Sequence, residues 1–212
     1  MANKFDYNDI YKKYDMSGEI HIGTGIVKVH DIFNPIPEFM KNADCIFCDP
    51  PCDKANINSF YTKADIEEKQ TSYAPFQSRL FEVIDEINPE HLFVEVFKAN
   101  KETFLLEIKK RYKFVHVYDS MYYRNPKNKC WIIQASNTFD DDLKFDGIDE
   151  AKIIELITEK DFFNCIGDPC MGKGLVGFYA NKNNKSFVGT ELNKKRLAVL
   201  LERIATGNLI MN

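Results

Sequence analysis

The chain has 212 residues, enough for one domain with a substantial core and tight for two. Hydrophobic residues make up 44%, charged residues 28%, and the net charge is −4, which excludes a membrane bundle and a broadly basic nucleic-acid-binding surface. Any basic footprint is therefore local, or comes from a second subunit.

In chain order, residues 1–18 form a polar lead-in with no apolar signal core, so the expected location is cytoplasmic. No apolar run approaches the roughly 18–20 residues of a membrane helix. Residues 20–29, rich in Ile, Val and Gly, predict a hairpin. Residues 28–33 lead into a turn broken by Pro35 and Pro37. Residues 43–48 predict a short buried strand that stops at Asp49-Pro50-Pro51, since prolines cannot extend a ladder. Residues 53–75 read mainly as a long surface loop with two short helical turns, and long loops in compact domains are usually functional. Leu80, Phe81, Ile84 and Ile87 have helical spacing. A strand over 91–97, a helix over 101–112 and strands over 113–123 and 130–135 follow. Between the last two lies a basic turn, 124–129. Residues 137–149 read as an acidic connector. The remainder alternates: helix 150–159, strand 162–166, helix from 175, strand 186–189, helix 194–204. This order predicts one α/β domain over 1–212, a doubly wound Rossmann-like fold with a mostly parallel central sheet and no separate recognition domain. In such sheets ligands bind beyond the carboxyl ends of the strands.

There are six cysteines. Cys45 and Cys48 form one C-x-x-C with no second pair at metal-site spacing, so buried thiols and no metal are expected.

Two strand ends carry unusual chemistry. At the first, residues 162–166 run into Gly167-Asp168-Pro169-Cys170-Met171-Gly172-Lys173-Gly174 and then a helix. Strand, glycine turn and helix N-terminus make a cofactor cradle in which Gly172 and Gly174 let a ligand approach the backbone. A phosphate-binding P-loop is the competing reading. It needs Ser or Thr where Gly174 stands, and Asp168 would oppose phosphates. The next strand ends in Glu191, about twenty residues on, placed to accept hydrogen bonds from ribose hydroxyls. A helix-start acid is the plainer alternative.

The pattern Asp168-Pro169-x-Met171-Gly172-x-Gly174, then Phe187-Val188-Gly189-x-Glu191-Leu192-Asn193 and Arg196, resembles the S-adenosylmethionine site of amino-directed DNA methyltransferases. The resemblance implies that the glycine turn faces the methionine end of the cofactor, that Glu191 holds its ribose, and that Asp168, Pro169, Cys170, Met171 and Asn193 belong to the same cofactor site. This chain departs from the family at Cys170, Lys173 and Leu175, where Phe, Ser and Thr are usual.

The second strand end, Asp49-Pro50-Pro51-Cys52, resembles the same family's catalytic Asp-Pro-Pro-aromatic signature. An amino group on adenine or cytosine is a poor nucleophile because its lone pair is delocalised into the ring. Asp49 and the Pro50 carbonyl would each accept one N–H and stabilise the charge that grows as the methyl arrives. The base must be flipped out and packed on an aromatic. Cys52 cannot supply that face; Phe60 or Tyr61 is the candidate replacement. Upstream, Asp31 matches an Asp that reaches the cofactor adenine in the family, with a simple turn acid as the alternative.

Adenine N6 in DNA is the expected target, with RNA left open. Cys52 also suggests a rival, cytosine-C5 methylation, in which a Pro-Cys nucleophile is paired with Glu-Asn-Val; here Glu95 stands near the next strand end, but Val96 replaces the Asn. A cofactor-binding but silent partner subunit, a P-loop ATPase and methylation of a protein side-chain amide are further readings. The catalytic signature precedes the cofactor turn, the permuted order of one class of amino methyltransferases. Lys54, Lys63, Lys69, Arg124, Lys127 and Lys129 are candidates for phosphate contacts. Specificity is expected either to be short or loose, or to be completed by a homodimer or partner subunit.

Overall fold

The computed structural model describes residues 9–209. Its strands are β1 (Glu19–Ile22), β2 (Gly25–Val29), β3 (Cys45–Cys48), β4 (His91–Val96), β5 (Phe114–Met121), β6 (Lys129–Ser136), β7 (Ile148–Asp149), β8 (Cys165–Asp168) and β9 (Ser186–Glu191). The helices are α1 (Lys54–Lys63), α2 (Ala74–Ile87), α3 (Lys101–Lys109), α4 (Glu150–Thr158), α5 (Leu175–Lys182) and α6 (Lys194–Thr206).

The strands form one sheet in the order β1-β2-β9-β8-β3-β4-β6-β5-β7. Five neighbours, β2, β9, β8, β3 and β4, are parallel. β6 runs antiparallel between β4 and β5, and β1 antiparallel beside β2. The fold is therefore the expected α/β, doubly wound and mostly parallel. From β8 the chain crosses through α5 to β9; from β3 it crosses through α1 and α2 to β4 on the other side. The order reverses between β8 and β3, and the crevice beyond their carboxyl ends is where such sheets bind ligands.

Apolar side chains cover both faces. One core joins Ile46, Cys48, Leu92 and Val94 to Leu80, Ile84 and Phe104 of α2 and α3. The other joins Cys45, Phe47, Phe93 and Ile166 to Ile153, Val176, Leu197 and Leu200 of α4, α5 and α6. Strand side chains alternate, so Cys45 and Cys48 point into opposite cores and cannot grip one metal ion.

Three segments depart from expectation. Residues 53–75 are not mainly loop. Asp53 caps α1 by accepting the Asn56 N–H at 2.7 Å, and Ile57 and Tyr61, one turn apart, are buried. The strand expected at 162–166 is β8, displaced toward Asp168. Phe162 instead joins a ring cluster with His91 and Phe139, while pairing to β9 extends as far as Asp168 opposite Gly189. The connector 137–149 contains β7, paired with the end of β5. Part of the lead-in, residues 1–8, lies outside the described residues. No described helix is long and apolar enough to cross a membrane.

Candidate active site

Each of the five parallel strands delivers an acid to the same edge. Asp31 follows β2, Glu191 ends β9, Asp168 ends β8, Asp49 follows β3, and Glu95 lies one residue before the end of β4.

The turn after β8 is tied to β9. Met171 donates its N–H to the Thr190 carbonyl at 3.0 Å, and the Thr190 hydroxyl donates to the Pro169 carbonyl at 3.0 Å. Asp168 is buried and accepts the Cys170 N–H at 3.0 Å. Burial holds its carboxyl well above the usual range. Glu191 bridges the turn to α6. One oxygen accepts the Gly172 N–H at 2.6 Å and the other the Asn193 N–H at 2.9 Å. Asn193 caps α6 through the Lys195 N–H and donates its amide to the Lys63 carbonyl at 2.8 Å, which ties α1 to the turn. Burial also pushes Glu191 up, against the pull of Arg196.

The two glycines of the turn differ. Both have positive φ, +56° at Gly172 and +71° at Gly174. A Cβ on Gly172 would stand 2.9 Å from Nη2 of Arg196, so this backbone borders the groove. A Cβ on Gly174 would meet Cβ of Leu200 at 2.5 Å, so this glycine lets α6 pack and does not face a ligand. Met171 likewise points inward, into the α5–α6 core. The Arg196 guanidinium lies 4.7 Å from the centre of the Phe60 ring. It faces Glu191, Asp168 and Asp49, and among the described residues it makes no hydrogen bond or ion pair.

Asp49 is accessible to solvent yet ringed by protein atoms, and that desolvation pushes its carboxyl up to about 6. The Tyr122 hydroxyl donates to its Oδ1 at 3.0 Å. The Tyr122 ring stacks on Phe97 at 5.4 Å and 12°. The proline turn is braced from outside: Tyr73 donates to the Pro51 carbonyl at 2.7 Å, and Asn100 donates to the Tyr73 hydroxyl. Among the described residues the Pro50 carbonyl accepts no hydrogen bond and stays available. Cys52 is half-buried, and burial pushes its thiol up.

Tyr61, buried in α1, donates to both oxygens of Asp31 at 3.2 and 3.0 Å. Arg79 of α2 clamps the turn after Asp31 through the Ile32 and Asn34 carbonyls. Phe60 and Tyr61 thus lie with Arg196 and Asp31, and the aromatic that reaches Asp49 is Tyr122, which the sequence reading did not single out. Its only local signal was a pair of tyrosines before a basic turn. Arg124 and Lys127 are exposed on that hairpin tip, beside Tyr123, which is 86% exposed. Lys54 is exposed at the start of α1, whereas Lys69 is tied to Thr62 at 2.7 Å.

No family model matches this sequence, nor does any curated protein. Solved structures do resemble it. M1.HpyAVI superposes with a TM-score of 0.54 at 15% identity, over 84% of this chain and 97% of that one. TTHA0409 from Thermus thermophilus, a putative DNA modification methylase complexed with S-adenosyl-L-methionine, gives 0.56 at 11% identity, over 78% and 86%. The cytosine-N4-specific PvuII DNA methyltransferase gives 0.55 at 9% identity, over 88% and 94%. The chain has the fold of these DNA methyltransferases.

Proposed function

We propose that this chain binds S-adenosylmethionine and transfers its methyl group to an exocyclic amino nitrogen of a DNA base, adenine N6 by the reading of its sequence. The observation that carries this is the juxtaposition of Asp49 and Asp168. They sit at the carboxyl ends of neighbouring strands β3 and β8, at the reversal of a sheet folded like the methyltransferases above.

The residues fit the cofactor. S-adenosylmethionine carries a sulfonium and an ammonium, and the ionised members of the strand-end row, Asp49 foremost, give the groove a negative field. Glu191 keeps lone pairs that would serve ribose hydroxyls, the family resemblance would set Asp31 at the adenine, and Arg196, which makes no hydrogen bond among the described residues, would offer donors to the methionine carboxylate. When bound, the cofactor supplies an electrophilic methyl group. Asp49 and the Pro50 carbonyl supply two acceptors for the two N–H bonds of the target amino group. Tyr122, on Phe97, supplies an aromatic face beside Asp49 where Cys52 has none. N6 of adenine and N4 of cytosine each present an amino group beside a ring nitrogen acceptor, and this acceptor pair serves both. The raised Cys52 thiol opposes the C5 rival, which needs a thiolate.

The test is tritium transfer from labelled S-adenosylmethionine to double- and single-stranded DNA, followed by nucleoside mass spectrometry. The expected product is N6-methyladenine, absent with Asp49→Ala and still formed with Cys52→Ser. N4-methylcytosine would move the target base but keep the mechanism. 5-Methylcytosine lost in Cys52→Ser would overturn it.

A further inference from the structure

Glu95 is 1% exposed, and among the described residues neither carboxyl oxygen has a hydrogen-bond partner. A buried polar group left so is destabilising, and a charged one more so, which makes the position one that asks for an explanation. Its place in the sheet is informative. Cys48 is in register with Val94, so Asp49 and Glu95 occupy opposed positions on adjacent parallel strands. Four titratable groups from separate elements face Glu95: Asp49 after β3, Tyr122 after β5, Cys130 of β6 and Glu150 of α4. None is cationic. On the other side, Asp49 has the Arg196 guanidinium near it. The Tyr122 hydroxyl lies between the acids, bonded to Asp49 and facing Glu95.

Two neighbouring carboxyls with no cation between them do not both ionise. The charge settles where it is best compensated, and that is Asp49, with solvent, Tyr122 and Arg196 at hand. We propose that Glu95 is the proton-bearing member of a carboxyl pair with Asp49, a positioning residue that holds Tyr122 in place and keeps the negative charge on Asp49. Burial raises Glu95 well above the usual carboxylate range, in agreement with this assignment. The inference rests on the reading of Asp49 as the acceptor of the target amino group. It gives a buried acid outside the recognised motifs a defined protonation state and a defined task.

Infrared difference spectroscopy of wild type against Glu95→Gln at neutral pH tests it without any substrate. The expected result is a protonated-carboxyl carbonyl band, sensitive to deuterium exchange, that is present in wild type and lost in Glu95→Gln. Its absence from the difference spectrum overturns the proposal, whether or not methyl transfer is found. In the transfer assay Glu95→Gln, an isostere of the neutral acid, stays within about two-fold of wild type and keeps the acid limb of the pH profile. Glu95→Ala removes the side chain that the Tyr122 hydroxyl faces and loses roughly ten-fold in turnover, with cofactor affinity by calorimetry unchanged. Glu95→Gln as impaired as Glu95→Ala would mean that the carboxylate itself is needed, and would overturn the proposal.

Discussion

At Asp49 the carboxyl proposed as the acceptor sits where protein atoms displace water, and its hold on its own proton rises to about 6. Two consequences follow for pH. Transfer declines as pH falls through that value, because a protonated Asp49 is a weaker acceptor and no longer offsets the positive charge that grows on the amino nitrogen. Stability moves the other way. A carboxyl that binds its proton more tightly when folded favours folding at acid pH, and that advantage is lost as pH climbs from the unfolded value of 3.8 through about 6. Asp49→Asn keeps an acceptor oxygen but loses the charge, and should therefore sharply reduce transfer and raise the melting temperature at neutral pH. The gain is roughly 1 kcal/mol, after allowing for solvent screening of an accessible group, and it vanishes near pH 4. Melts across that range check the sign; a variant less stable than wild type at neutral pH would contradict it. Asp49, Asp168 and Glu191 were legible in the sequence because their neighbours along the chain mark them as strand ends. Tyr122 was not, because it reaches Asp49 from 73 residues away through a hairpin, a relation no local spacing encodes.

Among the elements, the turn between β8 and α5 gives two glycines with the same backbone sign and different duties. Gly174→Ala forces a Cβ onto Leu200 at a left-handed position, and should cost about 2–4 kcal/mol of fold stability. Gly172→Ala presses only on the end of a flexible arginine, so the fold survives with about 1–2 kcal/mol of strain, and cofactor affinity takes the loss. Denaturant melts and cofactor titration of the two variants separate these effects; equal losses of stability would erase the distinction. From sequence the two glycines looked alike, because the difference lies in what α6 brings against them. Similarly, α1 was hard to see. Only Ile57 and Tyr61 of its ten residues are buried, so its apolar periodicity is thin, and the contacts that hold it come from Asp31, Asn193 and Arg196, distant in the chain. The regular alternation of strands and helices elsewhere was plain, since each strand is an apolar run bounded by turn residues.

For the molecule as a whole, the net charge of −4 leaves DNA binding to local features. The exposed hairpin tip carrying Arg124 and Lys127, next to Tyr123, adjoins Tyr122, whose hydroxyl reaches Asp49. Replacing Arg124 and Lys127 together by Ala should weaken DNA binding regardless of sequence and reduce the slope of log affinity against log salt by roughly two, one per phosphate contact. Filter binding across a salt series reads this; an unchanged slope would place the phosphate contacts elsewhere. The doubly wound sheet itself was legible from element order, and its likeness to methyltransferase folds holds at 9–15% identity.

The pairing of β3 with β8 joins segments about 120 residues apart, and this sets a timetable for the growing chain. At roughly 5–20 residues per second, the strand leading to Asp49 leaves the ribosome many seconds before its central neighbour exists. Until then β3 has β4 on one side and an open edge on the other, in the middle of what will become the core. The groove beside Asp49 arises only when β8 joins β3, and a nascent chain not yet extended past residue 168 lacks it.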